Sequence, residues 1–304
     1  MKKIHFISFE DEQDINLAIA TKSIDFEVSI SCNYISEISK QNLIKNKIVF
    51  NKGWDPNRIK ENIYFIVLGS NIEKNNPELI KAESFDIQIL SFPQFINYFC
   101  KNKTRVLIGG TYGKTSIISI ILHVLNYHNF SVDYVINKKV LGLSSLINLS
   151  NENDFIIIEG NENNTFEINN ELKPQFYNPH IALISCIFWK YLDRFPSFED
   201  YKNHFSLLIN NIIPGGILIY NENDNETNDL VEKSNHTIRK ESYFKPKNEL
   251  LNGVVNLQTN LGNYPLDNFN DYSLINIGGA LWVCQLMGIH EDDFCESIIS
   301  YKVD

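Results

Sequence analysis

Through the first hundred residues, short apolar runs alternate with stretches of helical pattern. Ile4-His-Phe-Ile7, Phe26-Glu-Val-Ser-Ile30, Ile48-Val-Phe50, Tyr64-Phe-Ile-Val-Leu68 and Ile87-Gln-Ile-Leu90 read as strands, the fourth as a continuous buried run. Between them, Ile15 to Ala20, Ser36 to Lys45 and Asn76 to Ala82 read as helices, the last with Pro77 in its first turn, where the missing N–H has no intrahelical partner to lose. Strands that alternate with helices predict a parallel sheet with helical crossovers.

A second unit starts near Lys103. Arg105-Val-Leu-Ile108 is its first strand, and Ile117 to Leu125 is a helix. Asp154-Phe-Ile-Ile-Ile-Glu159, Pro179 to Ser185 and Gly216 to Tyr220 follow as buried strands. Phe198 to Ile212 carries Tyr201, Phe205, Leu208 and Ile212 at helical spacing, and Leu274 to Gly288 places Leu274, Ile277, Leu281, Trp282 and Leu286 on one side. Residues 222 to 250 are polar and read as loop and short edge structure, and a last helix runs from Glu291 to Tyr301. The fold class is therefore α/β, with domains over 1–102 and 103–304.

The chain has 304 residues, enough for two cores of ordinary size. Its hydrophobic content of 43% is that of a globular protein. A net charge of -10 argues against nucleic acid or an anionic membrane surface as partner. No run of 18 apolar residues offers a membrane span, and Ile4 to Ile7 is too short for a signal peptide. Five cysteines without a Cys-x-x-Cys pair read as free thiols in a reducing cytoplasm.

Two turns bear on chemistry. The first, Ser8-Phe-Glu-Asp-Glu-Gln-Asp14, follows the first strand, where a nucleotide-diphosphate site would need glycines; it has none, and four acids instead. It reads as a solvated acidic turn that repels phosphate. The second, Gly110-Thr-Tyr-Gly-Lys-Thr-Ser116, joins a strand to a helix. Glycines let backbone N–H groups close on an anion, and the helix N-terminus adds partial positive charge. Lys114 can reach terminal phosphates and the Thr115 hydroxyl can hold magnesium. Ile108 stands where the longer phosphate-loop pattern has its first glycine. A turn that merely links strand to helix is the alternative, and the Gly-Lys-Thr weighs against it. Glu159 ends a buried strand, where parallel sheets present ligand-facing residues, and could share that magnesium with Thr115.

The second turn is similar to the G-T-H-G-K-T-T loop of the Mur ligases, cytoplasmic enzymes that use ATP to build the peptide of peptidoglycan. Within the family the likeness is greatest to the murein peptide ligase and muramate–alanine ligase branches. Ile4-His-Phe-Ile, Asn76-Pro-Glu-Leu-Ile-Lys-Ala82, Phe155-Ile-Ile-Ile-Glu-Gly160, Ile181-Ala-Leu-Ile-Ser185, Phe195-Pro-Ser-Phe-Glu-Asp-Tyr201, Gly215-Gly-Ile-Leu-Ile-Tyr-Asn221 and Asn276-Ile-Gly-Gly-Ala280 agree with it in order and spacing. The resemblance implies a Rossmann-like N-terminal domain of UDP-sugar-binding type, then a P-loop-type central ATP-binding domain, with the family's C-terminal domain absent. It implies ATP and magnesium as cofactors, and UDP-N-acetylmuramate and a peptide or amino acid as partners. Gly110, Thr111, Gly113, Lys114, Thr115 and Ser116 would bind the phosphates, with Lys114 the catalytic cation. Thr115 and Glu159 would hold magnesium, and Asn276 would contact adenine.

The chain also departs from the family pattern. Phe9-Glu-Asp-Glu12 replaces the glycine loop I-G-G-S that binds the UDP-sugar end. Trp189-Lys190-Tyr191 replaces W-D-H, Asn161-Glu162-Asn163 replaces D-E-Y, Tyr272-Ser273 replaces the H-N before Asn276, and Asn170-Glu171 replaces an arginine pair. The expectation is a ligase by ancestry, impaired or inactive as this chain. The alternative is a non-catalytic nucleotide-binding or structural protein that partners an active paralogue. A phosphate-binding kinase on an unrelated fold fits less well, because the resemblance extends beyond the loop.

Overall fold

The computed structural model describes residues 1–69, 72–161, 165–168, 171–174, 177–189, 195–259, 262–266 and 270–302. The chain forms two compact units. One comprises Met1–Asn102 with Ser145–Asn153 and Phe166–Gln175; the other comprises Lys103–Ser144, Asp154–Thr165 and Phe176–Asp304.

In the first unit the elements run β1 (Lys3–Ile7), α1 (Glu12–Ser23), β2 (Glu27–Cys32), α2 (Glu37–Lys45), β3 (Val49–Lys52), β4 (Ile63–Leu68), α3 (Pro77–Ser84), β5 (Ile89–Ser91) and α4 (Phe92–Phe99). The strands form a parallel sheet in the order β3-β2-β1-β4-β5, the Rossmann-like arrangement. Chain direction across the sheet reverses between β1 and β4, so the crevice for a ligand lies at their carboxyl ends. Phe6, at the centre, packs its ring 4.5 Å from Phe9 and 6.1 Å from Phe95 of α4. The sequence reading does not place that last helix, whose eight residues, Phe92–Phe99, follow directly on β5. Its local signal is a capping box, with Ser91 accepting from the Gln94 N–H and the Gln94 side chain accepting in return.

The second unit is built from β6 (Thr104–Gly109), α5 (Lys114–Tyr127), β7 (Asp133–Val135), β9 (Phe155–Glu159), β12 (Ile181–Ile184), α6 (Phe198–Asn210), β13 (Ile217–Asn221), α7 (Asn225–Lys233), β14 (Arg239–Tyr243), α8 (Asp271–Leu286) and α9 (Glu291–Ile298). One short strand, β8 (Ile147–Asn148), falls in the first unit, and one short pair is formed by β10 (Thr165–Ile168) and β11 (Glu171–Pro174). The main sheet of the second unit is parallel, in the order β14-β13-β12-β6-β9-β7. Val106 to Ile108, Ile156 to Ile158 and Ala182 to Ile184 are buried on both faces, which is why these strands read as unbroken apolar runs. Helix α5 packs on α8 and α9 and buries Ile117, Ile118, Ile120, Ile121, Val124 and Leu125.

The polar stretch after residue 222 is not mostly loop. It holds α7, then β14 as the outer strand of the sheet, then a three-stranded antiparallel sheet of β15 (Asn248–Leu251), β16 (Val254–Thr259) and β17 (Gly262–Leu266). Helix α7 buries only Thr227 and Val231, too few positions for a periodic pattern to register. It is specified instead by its cap, Asp224, which accepts from the Thr227 N–H at 2.9 Å.

Candidate phosphate-binding site

Strand β6 ends at Gly109, and the loop that follows turns on two glycines with positive φ, +125° at Gly110 and +82° at Gly113. Both positions are also tight. A Cβ on Gly110 would stand 2.1 Å from Ser185 Oγ, and one on Gly113 would stand 2.8 Å from Asn276 Oδ1. The loop is braced from β12 and α6. The Thr111 N–H donates to Cys186 O at 2.8 Å, the Phe188 N–H donates to Thr111 Oγ1 at 2.9 Å, and the Tyr201 hydroxyl is 2.9 Å from the same oxygen. Ser185 Oγ lies within donor reach of the Gly109 and Tyr112 carbonyls, at 3.2 and 2.5 Å. Its own carbonyl accepts from Asn221 Nδ2 at 3.0 Å. Burial pushes the Cys186 thiol above its ordinary pKa, and the Asp224 carboxylate adds to the effect.

Helix α5 then starts at Lys114 with its N-terminus on the loop. The Lys114 ammonium folds back to donate to Gly110 O. Thr115 Oγ1 donates to Glu159 Oε1 at 2.7 Å, and Glu159 Oε2 accepts from the Asn137 N–H at 2.8 Å. Glu159 is 3% exposed at the end of β9. Ser116 is exposed on the first helical turn. Asn276, on α8, reaches the loop at Gly113. All of the residues singled out around the loop therefore converge on the carboxyl ends of β6, β9 and β12, at the point where strand order reverses. Ser185, Phe188, Tyr201, Asn221 and Asn137 are not singled out as site residues by the sequence, although Ser185, Tyr201 and Asn221 each close a stretch that carries the family resemblance.

The donor set suits phosphate with a hard divalent cation. The glycine cradle has no room for a methyl group, and the hydroxyl of Thr115 and the buried carboxylate of Glu159 are adjacent oxygen donors. Among the described residues no group of three or more His, Cys, Asp or Glu side chains could hold a metal. Magnesium commonly binds in such settings through one or two protein oxygens, with phosphate and water supplying the rest.

The first βα turn behaves differently from its sequence reading. Asp11 and Glu12 are exposed, yet Asp14 is 5% exposed and Glu10 is partly buried. Glu12 and Asp14 already belong to α1, whose N-cap is Asp11. The turn is thus a helix start with inward-facing acids, not a wholly solvated loop. Of the other departures, Lys190, Tyr191, Glu162, Asn163 and Asn170 lie outside the described residues. Tyr272 is 82% exposed on α8, four residues before Asn276.

A model of the Mur ligase middle domain matches residues 108–274, from the strand entering the loop to the helix that carries Asn276. The chain is 26% identical over 302 residues to the UDP-N-acetylmuramate–L-alanine ligase of Dictyoglomus turgidum, covering 95% of this chain and 62% of that one. It is 22% identical over 315 residues to the same enzyme of Carboxydothermus hydrogenoformans, covering 99% and 66%. The chain thus spans a little under two thirds of the length of these curated relatives. In fold it is similar to the UDP-N-acetylmuramate:L-alanyl-gamma-D-glutamyl-meso-diaminopimelate ligase from Neisseria meningitides, with a TM-score of 0.85 at 18% identity over 100% of this chain and 99% of that one. The UDP-N-acetylmuramate–alanine ligase of Thermotoga maritima superposes with a TM-score of 0.73 at 15% identity, over 99% and 69%. No helix among the described residues is long and apolar enough to cross a membrane. With the family match covering more than half of its length and centred on the braced glycine loop, the chain belongs to the Mur ligase family.

Proposed function

We propose that the second unit, taken as an ATP-binding domain over 103–304, binds magnesium ATP at the 110–116 loop. We read the protein as a cytoplasmic ligase by ancestry, one that joins an amino acid or peptide to UDP-N-acetylmuramate. The observation that carries this reading is the Gly110–Thr115 cradle with Glu159 beside it. Loop amides between Gly110 and Thr115 and the N-terminal dipole of α5 hold the phosphate oxygens. Lys114 exchanges Gly110 O for a terminal phosphate oxygen and neutralises charge there. Thr115 and Glu159 supply oxygen ligands to magnesium, and Asn276 fixes the base end. Bound magnesium would supply charge neutralisation at the phosphates.

The ligation step is impaired in this reading. Lys190 and Tyr191 replace an acid and a metal-binding histidine, and an ammonium beside a magnesium site is repulsive. A nucleotide-binding protein that no longer turns over, alone or beside an active paralogue, is the second reading, favoured by the acids of the first βα turn. Calorimetry separates them from a relic. ATP is expected to bind at micromolar concentration and more tightly with magnesium. Phosphate release in the presence of UDP-N-acetylmuramate and a peptide amine is expected to stay at background. Lys114→Ala is expected to weaken ATP by about tenfold to a hundredfold, the worth of a charged hydrogen bond; unchanged affinity would remove Lys114 from the site.

A further inference from the structure

We infer that the turn after β1, which borders the β1–β4 crevice of the first unit, has its anion-binding amides filled by the chain's own carboxyl groups, Glu10, Asp11 and Asp14, and that it therefore refuses a nucleotide diphosphate-sugar. The inference rests on reading the first unit as the UDP-sugar side, and is independent of ATP binding at the loop of the second unit.

A Rossmann-like crevice receives a diphosphate through free backbone N–H groups at a glycine turn and at the helix that follows. Here two N–H groups of the turn and its helix, and two more just beyond β2, already have side-chain acceptors. The Asn33 and Tyr34 N–H groups, just beyond β2, both donate to Glu10 Oε1, at 2.9 and 3.3 Å. The Glu10 N–H donates to Asp14 Oδ2 at 3.3 Å, and the Asp14 N–H donates to Asp11 Oδ1 at 2.8 Å. Four amides thus close on the side-chain oxygens of Glu10, Asp11 and Asp14, which lie within four residues of one another.

The surroundings agree. A cavity of about 300 Å³ beside this turn is lined by Ser8, Glu10, Asn33, Trp54, Glu73 and Asn76 among others, and no basic side chain is among its described lining residues. The arginine of this region, Arg58, donates to the buried Glu78 carboxylate at 3.2 Å and to Gly53 O at 2.7 Å. The backbone course of a glycine turn persists, since Ser8 keeps φ at +64° and a Cβ on Gly69 would meet Ser8 O at 2.0 Å. The shape of a phosphate turn is present, and its ligand is internal.

The test titrates the full chain with UDP and with UDP-N-acetylmuramate by calorimetry, with ATP titrated into the same preparation. The wild type is expected to give no heat with either uridine ligand, whatever ATP does. Glu10→Gly with Asp11→Gly frees the amides and removes two acids; Glu10→Gln with Asp11→Asn keeps the side-chain lengths and removes only charge. The glycine pair is expected to gain at least about tenfold in UDP affinity over the wild-type detection limit; the Gln/Asn pair, whose carboxamide oxygens still accept from the same N–H groups, is expected to gain less. Micromolar binding by the wild type would overturn the inference. So would silence from the glycine pair when it melts cooperatively, or a gain by the Gln/Asn pair equal to that of the glycine pair. A change in ATP binding alone bears on the second unit and leaves this result readable.

Discussion

Gly110 and Gly113 differ in what a methyl group would meet. At Gly110 the neighbours are Ser185 Oγ and two backbone nitrogens, 3.0 Å away, which cannot yield; at Gly113 the nearest atom is the end of the Asn276 side chain, which can turn aside. Both positions keep the positive-φ strain. Gly113→Ala is expected to cost about 1 kcal/mol or somewhat more, and Gly110→Ala distinctly more, measured by urea denaturation. The Asp14 carboxyl has its own signature. Burial, with Asp11 adding to it, raises its pKa from 3.8 to about 8. A folded-state value above the unfolded one means the folded protein holds this proton more tightly. Stability from this residue is then full below about pH 4 and is lost as pH climbs toward 8. Asp14→Asn should remove that loss, so its advantage in melting temperature over the wild type is expected to grow between pH 5 and pH 9.

At the scale of elements, what could be read from the chain depended on where an element hides its apolar atoms. Strands β4, β6, β9 and β12 are buried on both faces, so each announced itself as a run of Ile, Val and Leu, and Glu159 could be placed by counting to the end of one such run. The turn at 110–116 was legible as a strand-to-helix glycine turn, because two glycines with lysine and threonine between an apolar run and a helical pattern mark one. Helix α7 and the β15-β16-β17 sheet were not, since their stability comes from caps, pairing and a few buried positions. The bracing of the loop was also invisible: Thr111 meets Tyr201 and Phe188 across 90 and 77 residues of chain, a distance that no local pattern spans. Glu10 was misread for a related reason, as its partners are backbone N–H groups 23 and 24 residues away. Asp224 joins two elements, capping α7 while accepting from the Ile187 N–H at 3.1 Å. Asp224→Ala is expected to cost about 1–2 kcal/mol and to loosen the segment after β12, seen as faster amide exchange at Ile187.

For the molecule as a whole, a net charge of -10 sets a repulsive background for any polyanion, which the proposed ATP site would have to overcome locally through the loop amides, Lys114 and magnesium. Nucleotide binding should therefore register as global stabilisation. At a hundred times Kd, one bound ligand adds about 2.7 kcal/mol. Magnesium ATP is then expected to raise the melting temperature by about 5–10 °C, and UDP not at all, in a thermal-shift measurement.

The central position of β6 has a further consequence. The chain enters the sheet of the second unit at β6, in mid-sheet, and returns only later to lay β9 on one side of it and β12 on the other. Gly142, with φ at +84° and open space where a side chain would go, lies between these two passages. A break there would leave Lys114 and Thr115 on one piece and Glu159, Ser185 and Asn276 on the other. On the proposed reading, neither fragment would own a nucleotide site and each would carry half of one. Nucleotide binding would then report on a split protein, being retained only where the halves have found each other.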